Sequence, residues 1–120
     1  QKLYHYQSWR IAILNYIEEL EPQNIHRFQA HDLTDEAFVL LEGACTLFIV
    51  ENDQIVPIHL EPKKVYNIKK GVFHSHTLSK NCKLLIIEEE NTSDENSPVM
   101  VLTEAQKQQL VEFARMNHGL

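Results

Sequence analysis

Apolar and polar residues alternate along most of this chain in short runs broken by polar turns. Ile25-His-Arg-Phe-Gln-Ala-His31 is one such run, and Trp9 to Tyr16 is an earlier one. Others are Glu36 to Leu41, Ala44 to Val50, Ile55 to Leu60, Val65 to Ile68, Phe73 to Leu78 and Lys83 to Glu88. Period-two alternation sends successive side chains to opposite faces of a strand. Short strands at even spacing predict an all-β sandwich or barrel. Glu42-Gly43 reads as a hairpin turn between the runs on either side, and Glu51-Asn-Asp-Gln54 as a second turn. With only three Gly and four Pro in the chain, turns must also use Asn and Asp. Pro57 has no N–H to donate and belongs on an edge or at a strand start. Leu14 to Leu20 is expected to hold a helical turn.

The pattern changes after residue 90. Asn91 to Pro98 is polar without a period and reads as a loop. Leu102 to Met116 has helical spacing, with Leu110, Val111, Phe113 and Ala114 on one stripe. Thr103 is placed to cap this helix, Gln106 completes a capping box, and Gly119 marks its stop. The chain thus reads as a single domain over 1–120, with a core barrel at about 9–90, a polar loop at 91–98 and a C-terminal helix at about 103–116. The strand Trp9 to Leu14 is apolar on both faces and needs cover on both. A second copy of the chain or the C-terminal helix must supply one cover, which predicts a homodimer with the N-terminal strand at its interface.

At 120 residues and 43% hydrophobic, the chain has material for one core. It has no run long enough to cross a membrane and no charged-then-apolar leader, so no membrane partner and a cytoplasmic location are expected. Cys45 and Cys82 sit in apolar strand-like segments without metal-site or redox-motif spacing, and read as buried, reduced thiols. A formal charge of −6 argues against nucleic acid as a partner, because neutralising phosphates takes a basic face. Lys63-Lys64 and Lys69-Lys70 are short basic pairs of the solvated kind.

The chemistry concentrates in a spaced set: Gln29-Ala-His31, then Glu36, then Gly43, then Gly71-Val-Phe-His74. His31, Glu36 and His74 are transition-metal ligand types, although a single His in a strand is more often a hydrogen-bonded structural residue. The spacing resembles the cupin family. Its first motif is H-x-H, three or four residues, E, six residues, G, and here only the first His is changed, to Gln29. Its second motif contains P-x-G-x-x-H, of which Gly71 and His74 remain, Lys69 stands for the Pro and Leu78 for a later Asn. The resemblance runs from about Ile25 to Ile87. It implies a cupin-type double-stranded β-helix, or jelly-roll barrel, that brings both motifs together inside. There Gln29, His31, Glu36 and His74 would hold one divalent metal: Zn, Mn, Fe or Ni. A Gln-x-His first motif occurs in cupin phosphomannose isomerases, which resemble this chain in ligand type only.

His76 lies two residues past His74 and should face the same way, either as a general acid or base or as a space-filling residue. Arg27 shares parity with Gln29 and His31. Pointing inward, it would favour an anionic substrate; at the mouth it would face solvent. Tyr66 and Phe73 read as wall or core aromatics. Three functions remain open at this level: a metal-dependent oxygenase, isomerase or lyase acting on a small polar metabolite; a metal-free cupin acting on a sugar nucleotide through His74 and His76; and a non-catalytic module that binds a small ligand.

Overall fold

The computed structural model of the chain describes residues 2–6, 9–89 and 97–120, the first of these segments through its backbone alone. Strands β1 (Lys2–Tyr6), β2 (Trp9–Asn15), β9 (Lys83–Glu89), β4 (Glu36–Glu42) and β7 (Val65–Ile68) lie in that order in one sheet. Strands β10 (Val99–Val101), β3 (Arg27–Gln29), β8 (His74–Leu78), β5 (Cys45–Glu51) and β6 (Gln54–His59) form the other. Every strand pairing is antiparallel. Two 3-10 turns, Glu18–Leu20 and Pro22–Asn24, link β2 to β3, and helix α1 (Glu104–Arg115) follows β10. The result is a jelly-roll β-barrel with a C-terminal helix. Among the described residues no helix is long and apolar enough to cross a membrane.

Strand alternation builds two apolar clusters. Between the sheets, Phe38 and Leu40 of β4, Leu47 of β5, Leu78 of β8 and Leu84 and Ile86 of β9 interlock with Cys45 and Cys82. Both cysteines are buried, free thiols, and burial pushes Cys82 up to about 11. On the outside of the second sheet, Phe28, Phe48 and Ile55 meet Leu110 and Ala114 of α1. The ring of Phe28 stacks near that of Phe48, with centroids 6.4 Å apart. The helix begins at the expected capping box: Thr103 accepts from the Gln106 backbone N–H, and the Gln106 side chain accepts from the Thr103 N–H. The stripe Leu110–Ala114 therefore covers the second sheet and leaves the outside of the first untouched. The outer rows of that first sheet are apolar. Ile13, Leu85, Val39 and Val65 stand in register across four strands, with Val65 71% exposed.

Several expectations are corrected. Glu42-Gly43 is no hairpin: β4 pairs with β7 and β9, whereas β5 pairs with β6 and β8, so the chain crosses between sheets at Gly43. Gly43 has φ +75°, and a Cβ there would lie 2.7 Å from the Cys82 backbone, so the crossing needs glycine on both counts. The hairpin is at Asn52-Asp53, both with positive φ, between β5 and β6. The run from Ile25 to His31 is a strand only over Arg27–Gln29, because Ile25 turns into the cluster beneath α1. The helical turn expected in Leu14 to Leu20 is confined to the 3-10 turn at Glu18–Leu20, since β2 runs on to Asn15. Strands β1 and β10 have no counterpart in the hydrophobic pattern. Pro57 lies on the edge strand β6, as its missing N–H requires. Of the polar loop at 91–98, residues 91–96 lie outside the described residues.

Candidate metal centre

The inward row of each strand changes character along its length. On β4 it runs Glu36, Phe38, Leu40; on β9, Leu84, Ile86, Glu88; on β8, His74, His76, Leu78. The polar ends meet at one end of the barrel. Local turn chemistry fixes them there. Asp35 accepts from the Asn67 side chain (3.0 Å) and from the Lys70 backbone N–H (2.9 Å), which pins the start of β4 to the turn before β8. Gly71 sits at φ +82° and donates its N–H to the His31 carbonyl at 2.9 Å. The Gly of the second motif thus ties down the segment carrying the His of the first.

His31, Glu36 and His74 converge, with one ligand atom from each lying within 4.8 Å of the others. Glu36 is 5% exposed and His74 7%. Glu36 Oε1 lies 2.9 Å from His74 Nε2 and 3.3 Å from His31 Nε2. The other nitrogen of each ring is occupied: His74 Nδ1 lies 3.0 Å from the Val72 carbonyl and His31 Nδ1 2.9 Å from Ser97 Oγ. A carbonyl only accepts, so His74 Nδ1 carries a proton. In a neutral ring that leaves an Nε2 lone pair facing the Glu36 carboxylate. Two acceptors at 2.9 Å need a cation between them or a second proton. Donors bound at about 2.0–2.2 Å, at right to tetrahedral angles, stand roughly 3.0–3.5 Å apart. The donor set and the two distances from Glu36 fit a small divalent cation, with the His74 ring fixed by a backbone carbonyl, as metal-binding imidazoles usually are.

Burial acts to raise the Glu36 pKa, but hydrogen bonds with His31, His74 and Glu88 outweigh it and hold the carboxyl below the usual carboxylate range. The hydrogen bond to Glu36 raises the His31 pKa against the opposing effect of burial. Glu88, which no motif marks, is a neighbour of this cluster. Burial first, then the adjacent Glu36, pushes it up to about 7, while Arg10 works the other way. Arg10 donates to Glu88 Oε1 through Nε at 2.9 Å and through Nη2 as well.

A cavity of about 590 Å³ opens beside the cluster, between β3, β8 and the segment from Glu19 to Arg27. Gln29, His31, Glu36, His74 and His76 all line it. Gln29 is half-buried and stands opposite His74 in the ladder. His76 faces the same way as His74, and the ring of Phe38 lies against both, at 5.7 and 6.1 Å. Neither ring nitrogen of His76 has a hydrogen-bond partner among the described residues, and both are shut from solvent although part of the residue is exposed. Burial pushes the His76 pKa down to about 4. Arg27 is exposed and lines the mouth of the cavity rather than its interior. Tyr66 packs on the inner cluster and its hydroxyl accepts from the Glu61 N–H at 2.9 Å. Phe73 turns outward to the cluster under α1 and is no part of the cavity wall.

No protein family's sequence profile matches this chain, and no curated protein matches it. Solved structures do. A cupin-2 domain containing protein from Shewanella frigidimarina is 25% identical, covering 74% of this chain and 78% of that one, with a TM-score of 0.52. QdtA 3,4-ketoisomerase from Thermoanaerobacterium thermosaccharolyticum, solved with TDP, is 18% identical over 74% of this chain and 64% of its own, with a TM-score of 0.61. HppE, solved with cobalt(II) and its substrate, is 18% identical over 68% of this chain but 44% of its own, with a TM-score of 0.52. The barrel, its helix and these structural relatives show that the chain has the cupin fold.

Proposed function

We propose that the chain is a single-domain metal-binding cupin. One divalent transition metal, Zn, Mn, Fe or Ni, sits on His31, Glu36 and His74 with Gln29 as a fourth, weaker donor, and the cavity takes a small polar metabolite. The observation that carries this reading is the His74 ring, whose Nδ1–H is committed to the Val72 carbonyl while Nε2 faces the buried Glu36 carboxylate at 2.9 Å. Mixed imidazole and oxygen donors suit these ions better than thiolate-seeking ones. When bound, the ion supplies a Lewis acid with open positions for a chelating substrate. Two neutral imidazoles, a neutral amide and one carboxylate leave a divalent ion with one excess positive charge, so the ligand that fills those positions is anionic. Arg27 at the mouth favours the same charge. His76 offers the bound ligand two nitrogens that have no partner among the described residues, as hydrogen-bond partner and as acid or base. The reaction classes that fit are oxygenase, isomerase and lyase chemistry. HppE, solved with iron(II) or cobalt(II), is a relative of this kind.

A second reading has its own support. QdtA, solved with TDP, shares this fold, and the His74–His76 pair would serve acid–base work on a sugar nucleotide without a metal. Metal analysis of protein purified without added metal separates the two. About one equivalent of a transition metal per chain supports the first reading. Metal-free protein whose melting temperature rises with a sugar nucleotide, and not with any metal, selects the second.

We also propose that the chain forms a homodimer across the outer face of the first sheet, where the row Ile13, Leu85, Val39 and Val65 and the neighbouring Ile11 and Ile87 present apolar surface. An apolar sheet face of this width is the kind of patch that subunits cover. The helix does not serve, because it lies on the opposite sheet. Sedimentation velocity at micromolar concentration is expected to give a dimer, and Val39→Lys a monomer. The two buried thiols suit a reducing compartment, so we place the protein in the cytoplasm, which cell fractionation tests.

A further inference from the structure

Arg10 and Glu88 have no part in either motif, yet they complete a row of charged side chains across the polar end of the barrel. Arg10 stands directly opposite Glu88 in the β2–β9 ladder. Ala37 stands opposite Ile87 in the β4–β9 ladder, so the next step of that register sets Glu36 against Glu88. The two carboxyls are close enough that each moves the other's pKa. The continuous order is therefore Arg10, Glu88, Glu36, and then the Nε2 atoms of His31 and His74.

Like charges directly across a ladder are destabilising, and the rest of the interior of these strands is Leu, Ile and Phe. An acid at position 88 breaks the local pattern without helping the core. Such departures belong to functional sites. A glutamate carboxylate on three rotatable χ angles does not hold one orientation without partners. His31 and His74 approach Glu36 at Oε1; Glu88 is set against Glu36 by the β4–β9 register and is itself gripped by two N–H groups of one guanidinium. The guanidinium fork has the geometry for that grip and a Lys does not.

We propose that Glu88, locked by Arg10, is a positioning residue that holds the Glu36 carboxylate in its metal-binding orientation. The inference rests on the metal reading above. Outer partners of metal ligands typically change metal affinity by about 10- to 100-fold when removed. The test is a cobalt(II) titration, followed by calorimetry and by the visible absorption of the bound ion, on the wild-type chain and on Glu88→Ala, Glu88→Gln, Arg10→Ala and His74→Ala. Glu88→Ala is expected to weaken cobalt binding about 10- to 100-fold and to shift its visible bands. Glu88→Gln, whose amide can donate an N–H to the Glu36 carboxylate, is expected to stay within a few-fold of wild type. Arg10→Ala is expected to fall between them. The metal-free melting temperature of Glu88→Ala should not drop in step, because a like-charge opposition is lost; a purely structural residue would lower both. Wild-type affinity and an unchanged spectrum in Glu88→Ala, with binding abolished in His74→Ala, would overturn this inference and leave the metal reading standing. A wild-type chain that takes up no cobalt would overturn both. Should Glu88→Ala fail to fold, Arg10→Ala carries the same decision.

Discussion

The two ends of this barrel are built by the same strands and obey different rules. At one end the inward residues are Leu40, Leu47, Leu78 and Leu84, each almost wholly buried and each surrounded by apolar neighbours. At the other end the same strands turn in Glu36, His74, His76 and Glu88, with His31 beside them. The apolar end gains stability from every side chain it encloses, about 1.5–3 kcal/mol for a fully buried aliphatic one. The polar end spends some of that gain: it buries the Glu36 carboxyl, half-buries that of Glu88, and gives neither nitrogen of His76 a partner among the described residues. A fold that sorts its residues this way stores stability at one end and keeps unsatisfied chemistry beside the cavity at the other.

The sharpest way to break this comparison is to damage the apolar end alone. Leu84→Ala removes a fully buried side chain between Leu14 and Leu40 and is expected to lower unfolding free energy by about 2–5 kcal/mol. Urea denaturation measures it, and metal affinity of the remaining folded protein should be unchanged. A lowered affinity would show that the two ends are not separable.

Next in size is His76. Filling its place with an apolar group removes two unpartnered nitrogens, so His76→Leu is expected to stabilise the metal-free protein by about 1–3 kcal/mol. The effect should depend on pH. The folded His76 resists protonation until about pH 4, whereas the unfolded residue protonates near 6.5. Between those values the unfolded state binds more protons, so this residue makes stability fall as pH drops from 6.5 to 4. Glu88, raised to about 7 from 4.5, slopes the opposite way over 4.5 to 7. The difference between wild type and His76→Leu isolates the His76 contribution. Denaturation midpoints that differ equally at pH 7 and pH 4.5 would refute it. At pH 7 His76→Leu should also lose ligand binding in the cavity.

The smallest effect is at Gln29. A neutral amide oxygen is a poorer donor than imidazole, and Gln29→His is expected to tighten zinc binding by a few-fold to about tenfold, or up to 1.4 kcal/mol. Unchanged affinity would remove Gln29 from the ligand set while leaving the three central donors in place.

Much of the polar end was legible in the sequence because its spacing is local. His31, Glu36 and His74 converge and Gln29 lines the same cavity, and Gly71 supplies both the positive φ and the hydrogen bond that joins the two motifs. Thr103 and Gln106 announced the helix as a capping box. What stayed hidden depends on register between strands far apart in the chain. Glu88 shares inward parity with Leu84 and Ile86, a signal that was available, but its position against Glu36 and Arg10 follows only from the β2–β9–β4 pairing. The Gly43 turn looked like a hairpin because alternation says which face a residue takes and not which sheet its strand joins. Arg27 has the predicted parity, but its strand is too short to carry the side chain beyond the mouth of the cavity.

The central claim is that His31, Glu36 and His74 share a metal ion, and a zinc titration by calorimetry on metal-stripped wild type and His74→Ala tests it most directly. The account predicts one zinc per wild-type chain and at least about a hundredfold weaker binding in His74→Ala, equivalent to about 2.8 kcal/mol, with the barrel still folded by circular dichroism. Equal zinc affinity in the two proteins, or none in the wild type, would contradict it.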